Sequence, residues 1–280
     1  MMQKIIFMDV DGTLVNDHGE IPESAKLAVR KARENGHLVY LSTGRSKSEL
    51  FSHVLEVGFD GIIGAAGGYI EVGEDVLFHE RMKQEDIELI VEYFNRNEID
   101  FFLEANSGIY ASQNCKKHFR SIIEKILSEN PEAKAAIEKG IQHFHDCLIE
   151  GEDLLSREDI NKVSFLGSHL SIETISQEFA SRFTIIPSTV PMFGQNSGEL
   201  SILGIHKATA IERVINHLNI RKEDTFAYGD GLNDIEMLGF VRQGIAMGNA
   251  KEAVKKAADD ITDTVEEDGI YNSFKKYGLI

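Results

Sequence analysis

The segment that most limits what this chain can become is Lys4-Ile5-Ile6-Phe7-Met8, an apolar run with no polar alternation that ends in Asp9-Val10-Asp11-Gly12. A strand that reads as a continuous hydrophobic run is covered on both faces, which is the situation of a parallel sheet between two layers of helices. The residues that follow keep to this plan. Ala25, Ala28, Val29 and Ala32 fall on one helical face, and Gly36 stands where a C-cap belongs. A second apolar run, His37-Leu38-Val39-Tyr40-Leu41, ends in Ser42-Thr43-Gly44-Arg45. Ser46 and Glu49 are spaced as a capping box for a helix carrying Leu50, Val54 and Leu55, which Gly58 closes. Strand, helix, strand, helix is the rhythm of a parallel sheet with right-handed crossovers.

The same rhythm returns near the carboxyl end. Ile211, Val214, Ile215 and Leu218 give a helical face, Thr225-Phe226-Ala227-Tyr228 reads as a strand ending in Gly229-Asp230, and a short helix, a strand at Gly244–Met247 and a helix from Lys251 follow. The middle breaks the pattern. Ile87, Ile90, Val91 and Phe94 mark a helix, but Phe101–Glu104 and Ile109–Ala111 flank Asn106-Ser107-Gly108, a hairpin signal. Lys162–Leu166 and Phe183–Ile186 read as further strands about a helix near Ile172–Phe183. The expectation is therefore an α/β protein with a doubly wound, mainly parallel, Rossmann-like core formed by residues 1–82 and 191–280, interrupted by an inserted α+β module at 83–190.

Bulk properties exclude several classes. At 280 residues there is room for two domains, and 42% hydrophobic with 27% charged residues is an ordinary globular mixture. No window approaches the roughly 20 consecutive apolar residues of a membrane helix. Met1-Met2-Gln3-Lys4 runs into the first strand without a cleavage site, and Cys115 and Cys147 fit neither a metal knuckle nor a disulfide framework, so a reducing cytoplasm is expected. A formal charge of −17 repels nucleic acid and anionic membranes at long range, so neither is an expected partner, and a monomer or weak homodimer is the expected state.

In open α/β sheets the reactive groups lie on turns beyond the carboxyl ends of the strands. Three turns occupy that position: Asp9–Thr13, Ser42–Arg45 and Gly229-Asp230-Gly231-Leu232-Asn233-Asp234; Lys207 opens the helix that holds Ile211. Together they supply several carboxylates, one ammonium, one hydroxyl and exposed backbone amides. Clustered carboxylates repel one another unless a cation neutralises them, and an all-oxygen set favours a hard ion such as Mg²⁺. Amides in a Gly-containing turn take an anion, Thr43 adds a hydroxyl and Lys207 a point charge, which are the parts phosphoryl transfer needs.

Asp9-Val10-Asp11-Gly12-Thr13, Thr43, Lys207 and Gly229–Asp234 resemble, in order, the four motifs of the haloacid dehalogenase-like (HAD) superfamily. Thr43-Gly44-Arg45, Glu236-Met237-Leu238, Ala246-Met247-Gly248-Asn249-Ala250 and Glu267-Asp268-Gly269 further resemble its Cof-type sugar-phosphatase branch, whose α/β cap corresponds to the insert. The resemblance implies that Asp9 is the nucleophile and forms an aspartyl-phosphate, and that Asp11 is the general acid and base. It implies Mg²⁺ held by the Asp9 side chain, the Asp11 carbonyl and Asp230, with Asp234 in support. It also implies phosphoryl oxygens held by Thr43, Lys207, Asn233 and the amides of Val10 and Gly44. The expected activity is Mg²⁺-dependent hydrolysis of a phosphomonoester of a small metabolite, a sugar phosphate or phosphorylated cofactor. A phosphomutase or phosphotransferase, and a non-catalytic phosphate-binding regulator, are the alternatives.

Two departures stand out. The branch carries Asn-Gly-Ala after its third strand where this chain has Ala66-Gly67-Gly68, and Ser-Asn before Glu-Asp-Gly where it has Thr264-Val265. Elsewhere the plainer reading prevails. His143-Phe144-His145-Asp146 reads as an exposed strand or loop face, Cys115 and Cys147 as ordinary residues of the insert, Phe101-Phe102 as core, and Arg45 as the partner of a nearby carboxylate. Glu104 and Asn106, near the hairpin tip, are weak candidates for facing a substrate.

Overall fold

The computed structural model describes residues 2–129, 141–188 and 193–280. By its contacts the chain divides into two units, one of Met1–Arg45, Leu50–His79 and Ile205–Ile280, the other of Ser46–Glu49 and Glu80–Gly204.

The first unit is built on an eight-stranded sheet. Its strands are β1 (Ile5–Met8), β2 (Leu38–Ser42), β3 (Gly61–Gly64), β4 (Tyr69–Val72) and β5 (Asp75–His79), then β12 (Thr225–Gly229), β13 (Gln243–Ala246) and β14 (Asp260–Ile261). They lie in the order β14-β13-β12-β1-β2-β3-β4-β5. Pairing is parallel from β14 to β3 and antiparallel from β3 to β5, so the sheet is mainly parallel. β1 is central, between β2 and β12, where the chain order reverses; this is the switch point at which ligands bind in such sheets.

The apolar run of β1 is explained by its two faces. Ile6 and Met8 enter a cluster with α1 (Glu23–Glu34) and α10 (Gly269–Lys276), while Ile5 and Phe7 enter another with α7 (Lys207–Leu218), α8 (Ile235–Phe240) and α9 (Glu252–Ala257). All four side chains are fully buried, each burial stabilising by roughly 1.5–3 kcal/mol. In α1 the buried residues are Ala25, Ala28, Val29 and Ala32, the face read from the sequence.

The capping pair after β2 forms, with Ser46 N–H donating to Glu49 Oε2 at 2.8 Å, but the expected helix is reduced to one 3₁₀ turn (Lys47–Glu49) and the single-turn α2 (Ser52–Leu55). The cause is a competing attachment. Lys47 N–H donates to Asn106 Oδ1 and Ser48 Oγ to the Ala105 carbonyl, which ties Ser46–Glu49 into the second unit.

The second unit carries a six-stranded sheet of β6 (Phe101–Ala105), β7 (Ile109–Ala111), β8 (Leu148–Ile149), β9 (Ile160–Phe165), β10 (Phe183–Pro187) and β11 (Gly198–Ile202), in the order β10-β11-β9-β6-β7-β8. Helices α3 (Gln84–Arg96) and α6 (Ile172–Phe179) cover one face around Phe94, Phe101, Phe165 and Phe179. Phe102 and Phe119 of α4 (Cys115–Glu129) pack on the other, so both phenylalanines of the pair are core. This unit runs past the expected residue 190 because β11 pairs with both β10 and β9; the expected boundary between 190 and 191 itself lies outside the described residues. The polar face of β11 explains why it was not read as a strand: Glu199 meets Lys162, whose Nζ lies 2.7 Å from Glu199 Oε2 and 3.1 Å from Glu104 Oε2.

Glu104 is thus 2% exposed and held by Lys162 and by Ser164, inside the sheet face instead of at an open tip. Asn106 is engaged by Lys47 and Asn161. The segment with His145 is not an exposed strand or loop but helix α5 (Ile141–Cys147), on which His145 is buried; the side chain of His143 lies outside the described residues. Cys115 and Cys147 are free thiols.

Candidate active site

Because β2, β1 and β12 run parallel side by side, the turns after Met8, Ser42 and Gly229 leave the same edge of the sheet. Lys207 reaches the same place from the first turn of α7, where a cation is opposed by the helix dipole. Two carboxylates answer that opposition. Lys207 Nζ donates to Asp9 Oδ1 and to Asp234 Oδ1, both at 2.6 Å, and Lys207 is 1% exposed. Asp234 is fully buried, and its other oxygen accepts the N–H groups of Asp230 (3.0 Å) and Gly231 (2.9 Å). It therefore shapes the turn that carries Asp230 and anchors the lysine at once.

Asp9, Asp230 and Asp234 each offer an oxygen within 4.8 Å of the others. Gly12 allows the closeness: it sits at φ 76°, and a Cβ there would stand 2.4 Å from Asp230 Oδ2. The electrostatic consequence is plain. Burial, then Asp234, push the Asp9 carboxyl well above the usual range against the pull of Lys207. Burial, again with Asp234, lifts Asp230 to about 7. Burial alone would strip Lys207 of its proton, but Asp234 and Asp9 more than offset it, and its net shift is upward. Three crowded carboxylates against one ammonium form a set of hard oxygen donors short of positive charge, which fits a divalent cation.

Beside this cluster lies a group of hydrogen-bond donors with no acceptor among the described residues. The N–H groups of Val10 and Gly44 have no acceptor among the described residues, although Asp9 N–H and Thr43 N–H on either side do. Thr43 is 1% exposed, and its Oγ1 accepts the Arg45 N–H at 3.1 Å, which leaves the hydroxyl hydrogen to donate elsewhere. Asn233 converges on the same spot, since a Cβ on Gly44 would be 3.6 Å from its Nδ2. The structure thus brings Asp9, Lys207, Asp230 and Asp234 into one cluster, with Val10, Thr43, Gly44 and Asn233 next to it.

Asp11 is the exception. Its carboxylate is 60% exposed and points at Arg45, which grips it bidentately through Nε (2.9 Å) and Nη2 (2.5 Å). Arg45 does pair with a carboxylate, and that carboxylate is the second aspartate of the turn after β1.

Two contributors carried no role in the sequence reading. Asn249 Nδ2 donates to the Gly12 carbonyl at 2.7 Å while its Oδ1 accepts the Val265 N–H at 3.2 Å, so the Gly248-Asn249-Ala250 segment braces the nucleophile turn. The signal was that motif itself, quoted without a function. The turn after β3 is the other. Ala65 (φ 50°), Ala66 (φ 54°) and Gly67 (φ 111°) all lie in the left-handed region, which costs an alanine roughly 1–2 kcal/mol. Alanine gives no sequence signal for that conformation.

A model of the haloacid dehalogenase-like hydrolases matches residues 6–274. Phosphatase YwpJ of Bacillus subtilis is 30% identical over 97% of this chain and 99% of its own length. From the same organism, 5-amino-6-(5-phospho-D-ribitylamino)uracil phosphatase YcsE is 28% identical over 99% of this chain and 96% of its own. Among solved structures, the HAD subclass IIB sugar phosphatase BT4131 superposes with a TM-score of 0.77 at 25% identity, covering 99% of this chain and all of that one.

Proposed function

The chain belongs to the haloacid dehalogenase-like hydrolases and is an enzyme of phosphatase type, and we propose that it hydrolyses phosphomonoesters of small polyhydroxylated metabolites through a phosphoryl group carried on Asp9. The observation that carries this reading is the Asp9–Lys207–Asp234 bridge, two contacts of 2.6 Å at the end of the central strand, with Asp230 alongside and the unpaired amides of Val10 and Gly44 next to it. Sugar and ribitylamino phosphates are the substrates in the names of BT4131 and YcsE, which supports the substrate class.

In the first step an oxygen of Asp9 attacks phosphorus, and the ester P–O bond breaks as Asp11 protonates the departing oxygen. In the second, Asp11 takes a proton from water, the water oxygen bonds to phosphorus, and the bond to Asp9 breaks to give orthophosphate. Lys207, Thr43, Asn233 and the amides of Val10 and Gly44 hold the non-bridging oxygens and stabilise charge that spreads onto them in the transition state. Asp9, the Asp11 carbonyl, Asp230 and Asp234 would hold Mg²⁺, which supplies charge neutralisation for the carboxylates and the phosphoryl group. Asp11 acts as the acid once its carboxylate leaves Arg45 and takes up a proton from solvent. No helix among the described residues is long and apolar enough to cross a membrane, and the free cysteines agree with a cytoplasmic setting.

The test is Asp9→Asn assayed with p-nitrophenyl phosphate and a panel of sugar and cofactor phosphates, reading orthophosphate with Mg²⁺ present. Loss of turnover in the variant and Mg²⁺-dependent release by the wild type are expected. A variant that keeps near wild-type turnover removes Asp9 from the chemistry, and product phosphate short of substrate consumed points to transfer instead of hydrolysis.

A further inference from the structure

The turn after β3 supplies none of the carboxylates of the cluster and no side chain that meets phosphorus, yet three consecutive residues in it lie at positive φ. Ala65, Ala66 and Gly67 are consecutive at φ 50°, 54° and 111°, and the two alanines are only 5% and 7% exposed. Strain of this kind persists only where surrounding contacts over-determine it. Here those contacts are specific.

On one side the turn holds the phosphate-binding loop. Ala65 N–H donates to the Arg45 carbonyl at 2.7 Å and Ala66 N–H to the Thr43 carbonyl at 3.0 Å, while Thr43 N–H donates to the Ile63 carbonyl at 2.8 Å at the end of β3. Both backbone groups of Thr43 are therefore fixed by β3 and its turn, and the Gly44 N–H between the two held carbonyls stays unpaired. On the other side the turn abuts the start of α7. A Cβ on Gly67 would lie 2.5 Å from the His206 carbonyl oxygen and 2.7 Å from its carbon. His206 is itself locked, its carbonyl accepting from Thr209 Oγ1 at 2.8 Å and its N–H donating to that same oxygen at 3.2 Å. The next residue is Lys207.

We propose that Ala65–Gly67 is a strained spacer, a set of positioning residues that fixes the distance between the Thr43-Gly44 donors and Lys207. A relaxed turn would release the Arg45 or Thr43 carbonyl, or back away from His206; the left-handed run satisfies all three contacts at once. The strained geometry sets the width of the grip on a phosphoryl group and leaves the metal-facing carboxylates alone. The inference rests on Thr43, Gly44 and Lys207 being the phosphate-holding groups.

Gly67→Ala tests it, because the added methyl needs a dihedral alanine rarely adopts and space the His206 carbonyl occupies. Orthophosphate binding by calorimetry with Mg²⁺ present, kcat on p-nitrophenyl phosphate and the Mg²⁺ activation constant are measured on the full chain. Phosphate affinity and kcat should each fall about tenfold or more, since misplacement of about 1 Å costs up to about a hundredfold, with the Mg²⁺ constant unchanged. If Gly67→Ala does not fold, Ala66→Val applies a milder strain at the same turn with the same expected signature. A variant that melts lower with phosphate affinity and kcat intact makes the turn merely structural and overturns the proposal, as does a parallel loss of Mg²⁺ and phosphate binding. A wild type inert to orthophosphate and p-nitrophenyl phosphate overturns the phosphatase reading too, which separates the two failures.

Discussion

Replacing Lys207 with methionine removes the ammonium that joins Asp9 to Asp234 while keeping most of the buried volume. In the native protein the ammonium is 1% exposed and makes two charge-assisted bonds of 2.6 Å. Without it, two buried carboxylates face each other with no cation, and removing one partner of a buried ion pair costs about 3–5 kcal/mol. For a unit of this size each kcal/mol moves the midpoint by about 2–4 °C, so the metal-free variant should melt roughly 6–20 °C lower at pH 8. The pH dependence follows from the sign of the remaining shifts. Asp9 is already raised well above its ordinary value by burial and by Asp234, and losing Lys207 raises it further. The folded variant then binds a proton that the unfolded chain has released, so its stability falls as pH rises above the ordinary carboxylate range, and the gap to wild type narrows towards pH 5. Activity should drop by about 10²–10³, the effect of removing one preorganised donor at developing charge. Scanning calorimetry at pH 5 and pH 8, and turnover of p-nitrophenyl phosphate, measure both. Lys207→Met combined with Asp234→Asn completes the cycle, and the double variant should be more stable than the sum of singles predicts by at least about 0.5 kcal/mol. Equal melting of Lys207→Met and wild type at pH 8, or strict additivity in the cycle, would refute the argument that this lysine holds the cluster together.

Three further outcomes are expected. Burial and Asp234 lift Asp230 from the ordinary carboxylate range to about 7, so the folded protein keeps a proton across that window and loses stability as pH rises through it; Mg²⁺ must displace the proton, and the melting shift it produces should grow from pH 5.5 to pH 8, a flat response counting against Asp230 as a ligand. Asp11→Asn should leave the melting midpoint within about 4 °C, because an exposed pair contributes at most about 1 kcal/mol. In turnover it should lose about 10²–10⁴ on alkyl phosphates and far less on p-nitrophenyl phosphate, whose leaving group needs no proton. Asn249→Ala deletes the Gly12 and Val265 hydrogen bonds at a cost of about 1–3 kcal/mol, and should lower kcat without altering which leaving groups are preferred, as a panel of aryl phosphates would reveal.

How much of this was readable beforehand depends on how far apart the deciding contacts lie. β1, β2 and β12 were legible because burial on both faces leaves a continuous apolar signature, and the turns after them were legible because their polar residues cannot belong to such a strand. β4 and β5 were not. Glu71 interrupts β4, and a buried glutamate there makes sense once the Tyr69 hydroxyl is seen bonded to its carboxylate. β11 was hidden in the same way, since Glu199 and Ser201 look like loop residues until Lys162 of β9 is set against them. In the site, residue types announced themselves and conformations did not. The bond between Arg45 and Asp11 joins positions 34 apart, and the left-handed Ala65-Ala66 is dictated by the carbonyls of Arg45 and Thr43, not by anything alanine prefers.

One charge count links the parts of the site. Asp9, Asp230 and Asp234 with Lys207 leave an excess of two negative charges in a buried cluster. Protons can remove it, which is what the raised Asp9 and Asp230 express, or a divalent cation can. The two remedies differ in consequence. A protonated Asp9 is no nucleophile, whereas a carboxylate balanced by a cation remains one, and in the proposed mechanism the phosphoryl dianion would then meet a neutral cluster that includes Lys207, beside the free amides of Val10 and Gly44. In the proposed mechanism acid and metal would therefore compete for the same vacancy in charge, and only the metal would leave the strand-end aspartate able to attack.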